Sequence, residues 1–255
     1  MSFIHLVSIR GRRDRNEDRH QVLRESEDVL HAAVYDGHGG DFVSNFLKNG
    51  FLDDIVYSGK RIKDVVRSYG KKLLMKEKAE ECGSTAAVVT IDTKRKKIRT
   101  MNIGDSRIVL YHGGGRVEAL TNDHKPDTEE ERVRISSMGE TISYDREDEL
   151  YRINGYSVSR AFGDTNYPAV ATTPDVAHHR YKTGRFVIVA CDGVWDVLSN
   201  EDACRVVSDA GRRLSGRVEP YNDDPMSKHN LATHLMREAL RKGSQDNITA
   251  MVIGI

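Results

Sequence analysis

Cysteine is scarce in this chain. Cys82, Cys191 and Cys204 are odd in number, far apart, and none belongs to a C-x-x-C pair. That argues against a disulfide framework or a structural zinc site and suits a reducing compartment. Long apolar runs are missing as well. No stretch approaches the ~18 residues that a membrane span needs, and residues 1–10 hold no signal-peptide core. The residue after the initiator is Ser2, so the glycine required for N-myristoylation is absent. An excess of one charge is lacking too. Lys plus Arg and Asp plus Glu both number 39, whereas a non-specific nucleic-acid binder carries a basic surplus. The densest basic runs, 10–15 and 94–97, read as solvated faces. These absences lead to the expectation of an intracellular protein, cytoplasmic with the nucleus left open. It should have no membrane or nucleic-acid partner and act as a monomer.

No Pro-rich or Ser/Gly-rich run and no internal repeat interrupts the 255 residues. One domain over 1–255 is therefore expected. Apolar, β-branched runs at 3–9, 29–35, 84–91, 98–103, 107–111, 185–191 and 247–255 read as strands. A Gly-rich turn at 112–115 with a resumption at Val117 is a hairpin signal. Helical spacing marks 41–47, 62–80, 128–138, a helix from about 199 to 207, and 231–240. The loops between 84–91, 98–103 and 107–111 are too short for parallel crossovers, so these strands should be antiparallel neighbours. The pattern favours a layered α+β fold over a doubly wound one.

What the chain does have is acid where a turn needs none. Asp36 lies in Val34-Tyr35-Asp36-Gly37-His38-Gly39-Gly40, and Asp192 and Asp196 lie in Cys191-Asp192-Gly193-Val194-Trp195-Asp196. Asp246 lies in Ser244-Gln245-Asp246-Asn247, and Glu17 and Asp18 follow Asn16. An Asp-Gly turn explains either of the first two alone. Two buried strands that both end in Asp-Gly are harder to dismiss. Carboxylates gathered at strand ends repel one another unless a cation separates them, and a divalent ion with oxygen ligands is the usual solution. Asp196, four residues past Asp192, falls one turn on if a helix starts there. The segment Asn102-Ile103-Gly104-Asp105-Ser106-Arg107 reads as a hairpin turn, and Asp123-His124-Lys125-Pro126 as a loop placing the next helix.

Eight segments in order resemble the metal-dependent protein serine/threonine phosphatases of the protein phosphatase 2C family. They are Arg13-Asp14-Arg15-Asn16-Glu17-Asp18, Tyr35-Asp36-Gly37-His38-Gly39-Gly40, Gly83-Ser84-Thr85-Ala86, the 102–107 turn, the 123–126 loop, Val158-Ser159-Arg160-Ala161-Phe162-Gly163-Asp164, the 191–196 segment and Ser244-Gln245-Asp246-Asn247-Ile248-Thr249. The resemblance implies a central antiparallel β-sandwich of two sheets flanked by pairs of helices, a four-layer αββα arrangement. It implies two Mn²⁺ or Mg²⁺ ions held by Glu17, Asp36, Asp192 and Asp246, with Asp36 bridging and the Gly37 carbonyl contributing. A weaker third metal would use Asp105, Asp192 and Asp196. Asp18 and Thr85 would support metal-bound waters, and Arg13 would grip the substrate phosphate.

The implied reaction hydrolyses phosphoserine or phosphothreonine in proteins by a water activated between two ions. Arg13 would clamp the phosphate, and His38 would protonate the leaving alkoxide. No covalent phosphoenzyme is needed, and acidic neighbours would blunt the Cys191 thiol. Beside the family pattern, 164–175 is short. A flap in that neighbourhood would be trimmed, the cleft open and substrate acceptance broad. Almost nothing stands before Phe3 or after Ile255, so no appended module is expected. Two alternatives remain: a pseudophosphatase-like binding module, or a metal-dependent hydrolase of another phosphate ester.

Overall fold

A computed structural model of the chain describes residues 3–147, 149–182, 184–214 and 218–255. The strands that carry the architecture are β1 (Phe3–Ile9), β2 (Arg19–Arg24), β3 (Val29–Tyr35), β4 (Ala86–Asp92), β5 (Lys97–Ile103), β6 (Arg107–Gly113), β7 (Arg116–Ala119), β8 (Asp175–Arg180), β9 (Phe186–Ala190) and β10 (Ile248–Gly254). The helices are α1 (Phe42–Lys48), α2 (Phe51–Tyr57), α3 (Ile62–Leu73), α4 (Glu129–Ser137), α5 (Asp192–Trp195), α6 (Asn200–Arg213) and α7 (Leu231–Arg241). One sheet orders Tyr221–Asn222, β1, β10, β9, β6 and β7; the other orders β8, β5, β4, β3 and β2. Neighbours run antiparallel, except that Ile4 of β1 faces Tyr221 in a parallel pair.

The continuous apolar runs follow from burial on both faces. In β1, Leu6 packs between the sheets and Val7 packs outward under α6 and α7. In β4, Ala87, Val89 and Ile91 point to the other sheet, while Ala86 and Val88 meet α1, α2 and α3. Each fully buried Leu or Ile contributes roughly 1.5–3 kcal/mol of apolar burial. Helices therefore cover both outer faces, and the layers are the expected α, β, β, α. Two helix starts are capped by side chains: Ser199 accepts from the Asp202 N–H, and Asn230 from the Ala232 and Thr233 N–H groups.

Three local expectations change. The turn after β5 is not a hairpin: β5 and β6 belong to different sheets, so residues 104–106 step across the sandwich. Their short loop ruled out a parallel crossover, but it did not require pairing. The helix expected over 62–80 stops at Leu73; exposed Leu74 and Met75 prolong the apolar spacing past the point where burial ends. Strand 84–91 is split, because Gly83–Ser84 pairs in a small sheet with Gly37–His38 and Phe162–Gly163.

Helix α4 stands apart from the four layers. With the hairpin Ile142–Asp145/Leu150–Ile153 it covers a small core of Ile135, Ile153, Val158, Ala161, Ala169 and Val170. A buried polar chain ties it down. Arg160 donates to Glu131 Oε1 at 2.6 and 2.9 Å, and Arg134 to Glu131 Oε2 at 2.8 and 3.0 Å. Arg160 also donates to Asp175 Oδ1 at 2.9 Å, and His124 Nε2 meets Asp175 Oδ2 at 3.2 Å.

Candidate metal centre

Strand register brings the acidic motifs to one end of the sandwich. Arg19 pairs with Tyr35, so Glu17 and Asp18, just before β2, meet Asp36, just after β3. Val34 pairs with Ala87 and Ala86 with Ile103, which adds Thr85 and Asp105. Ala190 pairs with both Arg107 and Ala250, which adds Asp192 and Asp246. Asp192 opens α5, and the Asp196 N–H donates to its carbonyl at 2.8 Å, so the one-turn spacing holds.

The acids form two groups that share Asp36. Asp36, Asp105 and Asp192 offer oxygens that all lie within 4.8 Å of one another, and Asp18, Asp36 and the Cys191 sulfur do the same. Thr85 fixes this corner. Its N–H donates to the Asp36 carbonyl at 2.8 Å, its Oγ1 accepts from the Asp36 N–H at 3.2 Å, and the same Oγ1 meets Ser106 Oγ at 2.8 Å. Gly37 is required by a close approach, because a Cβ there would fall 2.5 Å from the Glu17 carbonyl oxygen.

These carboxyls far outnumber the positive charge beside them: Lys125, 3.4 Å from Asp105 Oδ2, stands at their outer edge. Both oxygens of Asp18 and of Asp105 are buried with no hydrogen-bond partner among the described residues. Burial first, then the neighbouring acids, pushes Asp36 and Asp192 well above the usual carboxylate range. Burial pushes Asp18 and Asp105 each up to about 6. Orphaned buried carboxylates in such number fit a hard divalent cation, which offsets both the desolvation and the repulsion. The group Asp36, Asp105 and Asp192 offers oxygen donors alone, which suits a hard cation such as Mg²⁺ or Mn²⁺.

Other expected residues lie near these groups without belonging to them. Glu17 and Asp246 line the same cleft, as do Arg13 and His38. Arg13 Nη2 donates to Asp246 Oδ2 at 2.7 Å, with the arginine side chain 60% exposed. Asp196 sits at the outer edge, half-exposed, and its charge raises Asp192 further. His38 Nε2 meets Asp164 Oδ2 at 2.7 Å, and its ring lies edge-on to Tyr156 at 5.6 Å. Trp195 packs in the core and donates from Nε1 to the Ala190 carbonyl at 2.8 Å. Cys191 is fully buried, and burial followed by Asp18, Asp36 and Asp192 pushes its thiol well up.

The sequence assigned no role to Asp164, Lys125 or Tyr156. Asp164 ends the segment Val158-Ser159-Arg160-Ala161-Phe162-Gly163-Asp164, but nothing in the chain says that residue 164 reaches residue 38. The cleft wall also differs in origin from the expectation. Among the described residues it comes from Arg152 and 155–158. Residues 164–175 stand behind that wall, because Tyr167 packs on Tyr156 at 5.1 Å and Ala169 and Val170 are buried.

Crowded acids that repel one another, beside an exposed arginine suited to an oxyanion, have the chemistry of a divalent metal centre that faces an anion. The family model for protein phosphatase 2C matches residues 4–248, and the chain belongs to that family. It is 33% identical over 96% of its length to probable protein phosphatase 2C 11 of Arabidopsis thaliana, of which it spans 64%. It is 38% identical over 87% of its length to protein phosphatase 2C 50 of Oryza sativa subsp. japonica, of which it spans 68%. The crystal structure of serine-threonine phosphatase 2C from Toxoplasma gondii superposes with a TM-score of 0.79 at 22% identity, covering all of this chain and 96% of that one. No helix among the described residues is long and apolar enough to cross a membrane.

Proposed function

We propose that the chain hydrolyses phosphoserine and phosphothreonine in proteins as a metal-dependent phosphatase without a covalent phosphoenzyme. The observation that carries this reading is the group Asp36, Asp105 and Asp192, with Asp105 buried and the other two half-buried, in a cleft that also holds Arg13 and His38. Family membership and the names of the plant relatives support it. Glu17, Asp36, Asp192, Asp246 and the Gly37 carbonyl would hold two Mn²⁺ or Mg²⁺ ions. Asp105, Asp192 and Asp196 would hold a third, with Asp18 and Thr85 behind them. Ions held there would lower the pKa of water, so that hydroxide is available as the attacking group near neutral pH.

The chain's own residues do the rest. Arg13 exchanges Asp246 for the phosphate, which its exposure permits and its planar fork suits. His38 faces Asp164 through Nε2; as the imidazolium, with Nε2–H held by that carboxylate, it would give its second proton, on Nδ1, to the leaving alkoxide and be left neutral. Tyr156 shields one flank of that ring. Cys191 is too buried to act as a nucleophile. We take residues 1–255 as one catalytic domain, because β1 and β10 pair across the whole length. It acts as a monomer on phosphoprotein substrates inside the cell, in keeping with its three free, buried cysteines.

The test is phosphopeptide hydrolysis with Mn²⁺, with chelator, and in Asp192→Asn. Mn²⁺-dependent turnover that chelator abolishes and the variant loses is the expected result. Turnover unchanged by chelator would sink the metal mechanism, and no turnover with bound Mn²⁺ would favour a binding module.

A further inference from the structure

Lys125 lies where the acids thin out toward solvent. Its Nζ is 3.4 Å from Asp105 Oδ2 and 3.3 Å from Asp196 Oδ1. Backbone cross-links place it there. The His124 N–H donates to the Gly104 carbonyl at 3.0 Å, and the Gly104 N–H donates back to His124 Nδ1 at 3.1 Å. The Lys125 carbonyl accepts from the Thr128 N–H at 3.1 Å and from Thr128 Oγ1 at 3.0 Å, and Pro126 is buried. Residue 125 is therefore locked beside the turn that carries Asp105.

Asp105 is the buried partner, at 2% exposure, and it makes no hydrogen bond among the described residues. Its carboxylate faces Asp36 and Asp192 on one side and the lysine on the other. An ammonium is a compact point charge with three donors on a flexible stem. It can stand where a small cation would stand, and it can swing away, since its side chain is 25% exposed.

We propose that Lys125 is a tethered cation for the outer acids Asp105, Asp192 and Asp196, and that it sets how tightly they take a divalent ion. The inference rests on the metal-centre reading above. With Lys125 in place, an incoming ion must displace a positive charge or share the site with it. Without it, the same acids lose that positive charge, and the ion is held more tightly. Two unit charges about 4 Å apart interact strongly enough at intermediate dielectric to change affinity by tenfold or more.

The experiment counts Mn²⁺ directly, by the loss of the free-ion EPR signal as Mn²⁺ is added to the apo chain. The variants are Lys125→Met, Lys125→Gln, Lys125→Arg and the double variant Lys125→Met/Asp105→Asn, each checked for folding by thermal melting. Lys125→Met is expected to take up its outermost ion at least about tenfold more tightly than wild type. Lys125→Gln should match it, Lys125→Arg should keep the wild-type isotherm, and the double variant should lose the gain. Isotherms of wild type and both neutral variants that superimpose would overturn the proposal, as would a gain that survives Asp105→Asn. Wild type that binds no Mn²⁺ tightly would instead defeat the two-metal reading. The difference between wild type and Lys125→Met still decides the lysine's role in that case.

Discussion

His38 Nε2 and Asp164 Oδ2 meet at 2.7 Å across 126 positions of chain. The aspartate side chain is wholly buried and the imidazole is 28% exposed. A buried carboxylate in that place favours a proton on Nε2 and holds the ring in one orientation. His38→Ala is expected to slow phosphopeptide hydrolysis by about 10²-fold or more, the usual range for a lost general acid. Aryl phosphates, whose leaving groups need no proton, should lose far less. Asp164→Asn should show the same substrate bias at smaller amplitude. Comparing kcat on both substrates checks this; equal losses would remove His38 as the acid.

The same pair depends on Gly83. A Cβ at that position would lie 2.1 Å from Asp164 Oδ2 and 2.3 Å from His38 Nε2. Gly83→Ala should therefore break the contact and lower stability by about 1–3 kcal/mol, as overpacking does. Its kinetic signature should copy Asp164→Asn. Denaturant melts and the two-substrate comparison read the two effects separately.

Metal removal should be visible without any substrate. Ions that bind only the folded chain stabilise it by about 2.7 kcal/mol at 100 times their Kd. Saturating Mn²⁺ is expected to raise Tm over the chelated form by several degrees. Asp192→Asn should behave oppositely in the two states. It removes one acid from a repelling buried group, so its apo form should melt higher than wild-type apo, while its Mn²⁺ response shrinks. A wild-type Tm that ignores Mn²⁺ and chelator would contradict the site.

Acid stability should report on α4. Burial alone would raise the Glu131 pKa, but hydrogen bonds from Arg160 and Arg134 outweigh it and hold the carboxyl down to about 2, against an ordinary 4.5. A carboxyl depressed in the folded state adds stability that is complete above about 4.5 and is lost as pH falls toward about 2. Glu131→Gln should melt lower than wild type at pH 7, and the gap should narrow as pH drops through that window. Circular dichroism melts at several pH values would reveal a gap that stays constant, the contrary result.

The layers were legible in the sequence because their strands are apolar on both faces, as at Leu6 and Val7. Strand β2 was not, since Arg19–Arg24 is only partly buried and carries polar side chains. Helix α2 was missed because its seven residues, with Asp53 and Asp54 inside, are too few to show a period. The acids could be read one by one from Asp-Gly motifs, but their grouping could not. Asp105 joins Asp36 and Asp192 only because residues 104–106 cross between sheets instead of closing a hairpin. Lys125 and Asp164 were unreadable for the same reason, since each meets its partner through tertiary contacts alone.

The place of β10 has a consequence for synthesis. It fills the gap between β1 and β9, yet it is the last of these strands to be made. Until residues 248–254 leave the ribosome, β1 has no central neighbour and Arg13 has no Asp246 to meet. Domains generally fold as units once their non-local contacts can close. A nascent chain lacking this strand should therefore carry most of the acids in sequence without the pocket that gathers them. Competence would then arrive in one late step instead of accruing along the chain.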